Sequence, residues 1–287
     1  MPPGQRLPPQ RLTAARMDLP MEPAPGPRTD DALLGAELQI QGRIMPASNQ
    51  TFLATLGEDG PRCVYKPVSG ERPLWDFPHG TLAEREYAAW VVSDHLGWDV
   101  VPPTVLREGP AGRGMVQLWR EPVAGPDDVP DTVDVVPEGI VPRGWLHVLD
   151  ASGPQDEPVM LIHEDSAPLR RMAVFDVITN NTDRKGGHVL AMADGHRHGV
   201  DHGVCFHHED KLRTVLWGWA GLALTDEERD GVEDVLLGLH GELRDRLEDL
   251  LAIHEVDATA RRCERLLRAG SFPVPAGGWP SIPWPPF

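Results

Sequence analysis

From Ala36 onward the chain alternates apolar and polar residues. AELQIQGRI and TFLATL carry the two-residue period of half-buried strands, and the polar stretch PASNQ between them predicts a turn. CVYKPV predicts a third strand, followed by the loop RPLWDFPHG. TLAEREYAAWVVSDHLG then shifts to helical spacing and stops at Gly97, a residue type that closes helices in the left-handed conformation. VVPPTVLRE and GMVQLW predict two more strands. Beyond about Pro122 the acidic, proline-bearing PVAGPDDVPDTVDVVPEG reads as loop, and GWLHVLDA and residues 167–179 read as helices. The loop NNTDRKGG, the strand HVLAM, the turn ADGHRH and the strand GVDHGVCF are expected next. Past Leu224 glutamate and arginine recur four residues apart along helical segments, and the tail WPSIPWPPF is too rich in proline to be helical.

This order predicts an α+β, two-lobed architecture. A small, mixed, β-rich lobe is expected over residues 32–120 and a mostly helical lobe over 121–287. Residues 1–31 are proline-rich and lack periodic apolar positions, which predicts a disordered leader, with Met17 an alternative start.

Composition narrows the function. The balance of 27 basic against 44 acidic residues gives −17, which disfavours a general nucleic-acid binder or a protein that coats anionic membranes. There is no run of 18 apolar residues, so no transmembrane segment is expected and the chain reads as cytoplasmic. Cys63, Cys205 and Cys263 lie far apart and read as buried small hydrophobes. Lysine occurs only at Lys66, Lys185 and Lys211, so each is a candidate for a role that arginine does not fill.

Lys66 sits in an apolar, partly β-branched strand, where an ammonium needs an anion as partner. The helix twenty residues on offers Glu84 and Glu86, the latter beside its apolar face. Ser48 and Asn49, in the first turn, present main-chain N–H groups suited to phosphate. Asp183 and Asp201 each fall in a polar, glycine-bearing loop, eighteen residues apart. Two such carboxylates meet the needs of phosphoryl transfer: one takes the acceptor hydroxyl's proton and the other holds Mg2+.

The series VYKP, LAEREYAAWVVSDHLGWDVVPPT, QLW, NNTDRKGGHVL, VDHGVCF and TVLWGWAGLAL resembles, over roughly residues 40–225, the phosphatidylinositol 3-/4-kinase-like branch of the protein-kinase fold. It is most similar to the type II phosphatidylinositol 4-kinases and their bacterial relatives, including actinobacterial proteins of unknown role. The resemblance implies ATP and Mg2+ or Mn2+ as cofactors and a hydroxyl acceptor, whether lipid, protein or small molecule. It implies Asp183 as catalytic acid/base and Asp201 as metal ligand. Lys66 would contact the α- and β-phosphates and pair with Glu86, Ser48 and Asn49 would cover the phosphates, and Gln117, Leu118 and Trp119 would flank adenine. The family carries asparagine five residues after the catalytic aspartate; here that residue is His188, an imidazole suited to softer divalent ions. That change leaves room for a nucleotide-binding pseudokinase, and the same residues would serve an enzyme that transfers AMP.

A different reading starts from six histidines within twenty-one residues, His188, His196, His198, His202, His207 and His208, which suggest a zinc hydrolase. For the acceptor, Arg170, Arg171, Arg184 and Lys185 form the local basic cluster available to an anionic lipid. Against −17 overall, a soluble acceptor is at least as well supported.

Overall fold

The computed structural model describes residues 33–45, 47, 49–77, 81–123, 131–275 and 280–287. The expected leader and Ser48 lie outside the described residues. Strands β1 (Leu38–Arg43), β2 (Phe52–Leu56), β3 (Arg62–Pro67), β4 (Thr104–Gly109) and β5 (Gly112–Leu118) form one antiparallel sheet in the order β1-β2-β3-β5-β4. The alternation read from the sequence buries Leu38, Ala54, Cys63, Tyr65, Val105 and Val116 in a small core on one face.

Helix α1 (Leu82–Leu96) begins in a reciprocal cap between Thr81 and Glu84 and ends at Gly97, φ 62°. Its apolar side chains Ala88, Val91 and Val92 do not join the sheet's core. They belong to the larger core built by α2 (Ala167–Thr179), α3 (Asp226–Gly238), α4 (Glu242–Glu248) and α5 (Ile253–Ala269). Phe175, Ile178, Trp219, Val232 and Val256 fill its centre, each fully or almost fully buried. Burial of a side chain of this size contributes about 1.5–3 kcal/mol, so this cluster is the main anchor of the fold.

The chain is thus a two-lobed α+β fold, with a β-rich N-terminal lobe and helices gathered toward the C-terminus. The region expected to be loop and helix after Pro122 differs. Val133–Pro137 (β6), Trp145–Ser152 (β7) and Pro158–Glu164 (β8) form a second sheet, ordered β6-β8-β7. GWLHVLDA is therefore strand. A bulge between His147 and Leu149 breaks the two-residue period and leaves Leu146 and Leu149 three apart, a spacing that mimics a helix. GVDHGVCF is also not a strand. The hairpin partner of β9 (Val189–Ala191) is β10 (Arg197–Gly199), which takes the last two residues of the expected turn and only Gly199 of the expected strand. Asp201 and Phe206 then adopt left-handed backbone, φ 63° and 67°, which no strand accommodates.

Candidate active site

A cleft of about 300 Å3 lies between the first sheet and the loops after α2. Lys66, Glu86, Asp183 and Asp201 line it together, with Asn49 and Gln50 from the first turn and Glu71 and Arg72 opposite them. Residues remote in sequence thus meet in one space. The Asn49 side chain accepts a hydrogen bond from the Arg72 N–H at 2.9 Å, and the Gln50 N–H donates to the Gly70 carbonyl, so turn and loop are tied together over the cleft.

Lys66 projects from β3, and its ammonium donates to Glu86 Oε1 at 2.6 Å and Asp201 Oδ1 at 2.8 Å. Burial alone would lower the lysine's pKa. The two carboxylates outweigh it and hold the ammonium above its ordinary value. The same ammonium pulls Asp201 well below the usual carboxylate range. Burial pushes Glu86 upward against the pull of Lys66, and its second oxygen accepts the His202 N–H at 2.8 Å. Glu84 does not compete for the lysine, because it closes the helix cap.

Asp183 and His188 flank this centre. The Asn181 side chain accepts the Asp183 N–H at 3.0 Å, and the Lys185 ammonium stands 3.3 Å from the Asp183 carboxylate. His188 Nε2 lies 3.5 Å from Asp201 Oδ2. Burial lowers the His188 pKa, against the opposing pull of Asp201, so the ring is held neutral, and its buried Nδ1 has no hydrogen-bond partner. A neutral imidazole whose Nε2 faces a carboxylate suits a divalent cation.

Gln117, Leu118 and Trp119 stand apart from the lining of this cleft. The Gln117 amide is buried against the Thr104 hydroxyl at 2.9 Å, and the main-chain N–H groups of Leu118 and Trp119 donate to the carbonyls of Pro103 and Arg62.

Several contributors escaped the sequence reading. Glu71 accepts the N–H groups of Leu82 and Ala83, seating the start of α1 at the cleft wall. Arg85, next to Glu86, reaches the Cys205 carbonyl and Glu255 on α5, each at 2.8 Å, and the Arg85–Glu255 pair is almost fully buried. Asp176 on α2 binds the Arg184 guanidinium, both side chains wholly buried, and fixes the loop that carries Asp183. The lone acid in the apolar run MAVFDVIT was the available signal for that pair.

The basic cluster proves to be paired: Arg170 with Glu228, Arg171 with Glu227, Arg184 with Asp176 and Lys185 with Asp183. Nor do the six histidines share a centre. His202 binds Arg184, His207 contacts Lys211, and His188 faces Asp201. The three cysteines are free and buried, and burial pushes the Cys63 and Cys263 thiols up to about 11 and about 12. They stay protonated and unreactive.

No protein-family model matches the chain. Protein Rv2133c of Mycobacterium tuberculosis (strain ATCC 25618 / H37Rv) is 51% identical over 266 residues, spanning 89% of this chain and 94% of that protein. Among solved structures, the Golgi casein kinase aligns with TM-score 0.49 and 13% identity over 85% of this chain and 77% of its own. The Helicobacter pylori proinflammatory kinase CtkA aligns with TM-score 0.41 and 10% identity over 83% and 94%. At these scores the likeness transfers no function.

Proposed function

We propose, for a chain that belongs to the family of Protein Rv2133c, that its cleft carries out ATP-dependent phosphoryl transfer to a hydroxyl acceptor, with a divalent cation. The observation that carries this reading is Lys66 joined at once to Glu86 and Asp201 in the cleft that Asp183 also lines. An ammonium has three donors, and two are engaged here, so one remains for a phosphate oxygen. Glu86 fixes the lysine's position and in turn is fixed by the His202 N–H.

Asp201, with His188 beside it, would hold the cation. A cation held there would supply positive charge against the phosphate oxygens during transfer. Asp183 accepts the proton of the attacking hydroxyl, and the Lys185 ammonium, 3.3 Å away, faces the same carboxylate. Turn residue Asn49 would cover the phosphates.

The acceptor we infer is soluble rather than a membrane lipid. Each of Arg170, Arg171 and Arg184 already has a carboxylate partner, so the local cluster offers little free positive charge to an anionic headgroup. Among the described residues no helix is long and apolar enough to cross a membrane.

Parallel incubation with γ-labelled and α-labelled ATP, in Mg2+ or Mn2+, tests the reading. Transfer of the γ-label alone supports it. Transfer of the α-label assigns the cleft to AMP transfer, and nucleotide binding without transfer of either makes it a pseudokinase.

A further inference from the structure

His196 and His198 flank Arg197 at the start of β10. The two-residue period of a strand sends Arg197 to one side, where it forms paired bonds of 2.9 Å to both carboxylate oxygens of Glu164, and turns both imidazoles to the other. There they meet Asp99, in the loop after α1. His196 Nε2 lies 2.8 Å and His198 Nδ1 2.9 Å from the Asp99 carbonyl oxygen, and Asp99 holds a left-handed backbone, φ 50°, to present it. One donor atom from each of the two imidazoles and the Asp99 carboxylate lies within 4.8 Å of the others, and among the described residues no other group of three such side chains gathers this closely.

We propose that Asp99, His196 and His198 form a second divalent-metal site of the zinc class, separate from the Asp201–His188 pair. Ligands of one zinc ion at ~2.0–2.2 Å lie no more than about 4 Å apart, so small side-chain rotations close this set. Two imidazoles and one carboxylate select Zn2+, Co2+ or Ni2+ over Mg2+. Each imidazole would ligate through its unprotonated nitrogen while the other ring nitrogen keeps its N–H on the Asp99 carbonyl oxygen.

Space for remaining ligands exists. A cavity of about 480 Å3 opens beside the three residues, lined also by Asp194, Arg120 and Arg171. Arg171 is committed to Glu227, and Arg120 brings a second cation to the cavity wall, where an anionic ligand completing the coordination would be favoured. The bound ion would pin the loop following the Glu86 helix to the strand that runs into Asp201. It would act as a brace and not as part of the transfer chemistry.

Cobalt absorption on the dialysed full-length chain tests the site, in the presence of excess Mg2+. The expected result is one equivalent of Co2+ with a visible ligand-field spectrum, displaced by Zn2+, and a rise in melting temperature on binding. His196→Ala and His198→Gln should each weaken binding roughly tenfold or more, while Asp201→Asn leaves it intact. If the buried His198→Gln variant does not fold, His196→Ala, at a partly exposed position, decides. Absence of the spectrum in the wild-type chain overturns the proposal. So does a spectrum that His196→Ala leaves unchanged, or one that only Asp201→Asn removes, which would place the ion in the nucleotide cleft.

Discussion

Arg184 and Lys66 are both cations joined to an almost inaccessible carboxylate, yet their surroundings differ. Every N–H of Arg184 has a partner: Asp176 takes Nε and one Nη2 bond, the carbonyls of His188 and Val200 take Nη1, and His202 Nε2 sits 2.7 Å from Nη2. Gly199 makes room for it, since a Cβ there would lie 2.9 Å from Nη2. That guanidinium is saturated. Lys66 is one-fifth exposed and shares its charge with Asp201, whose side chain is 56% exposed toward solvent. That network is open on one side. A charge whose hydrogen bonds are complete supports the fold; one left with a free donor beside an accessible carboxylate is placed to meet a ligand.

The sharpest way to break this contrast is Asp176→Ala. It strands the Arg184 guanidinium in the interior and should cost about 3–5 kcal/mol of unfolding free energy, read from urea denaturation. Lys66→Met leaves the buried Glu86 carboxylate with only the His202 N–H but costs the exposed Asp201 little, so the midpoint should fall by less than in Asp176→Ala, and equal losses in the two variants would show that Lys66 is structural after all. Next in size, Asp183→Asn should spare nucleotide binding and slow γ-phosphate transfer roughly 10²–10⁴-fold, measured in single turnover. Unchanged rates would remove Asp183 from the chemistry. Lys66→Ala should then weaken ATP binding by about 1.5–3 kcal/mol in calorimetry, the loss of one charge-assisted bond.

A smaller effect concerns acid. Burial lowers the pKa of His188 and, more strongly, of His202, where the Arg184 charge adds to it. The unfolded chain therefore binds protons that the folded chain refuses. Stability should be complete above the ordinary imidazole value of about 6.5 and decline as the pH falls below it. A melting temperature that is flat across that range would contradict the buried, neutral state of these rings. Smallest of all, Arg171→Ala removes a partly exposed pair with Glu227 and should change stability by less than about 1 kcal/mol.

Much of this was legible in the sequence because it was local or chemically anomalous. The strands of the first sheet and helices α1 and α2 follow from periodicity and caps. Lys66 stood out as a lysine in an apolar strand, and Glu86 as an acid beside an apolar helix face; the structure brings them within 2.6 Å. Asp183 and Asp201 were marked by polar loops that a plain core would avoid. The second sheet was hidden, because β6 is short and set between prolines and β7 is bulged, so neither shows a clean period. The buried ion pairs were hidden for another reason. Arg85 and Glu255 are 170 residues apart, and no local pattern announces a partner at that distance.

That Arg85–Glu255 pair has a consequence for how the cleft admits its ligand. The apolar face of α1 is part of the helical core, and its arginine is bolted to α5. Any widening that keeps those contacts leaves α1 behind and slides the five-stranded sheet past it. Entry would then be felt first as a stretch between Lys66 and Glu86, making that ion pair, rather than a swinging helix, the gauge of an open or shut cleft.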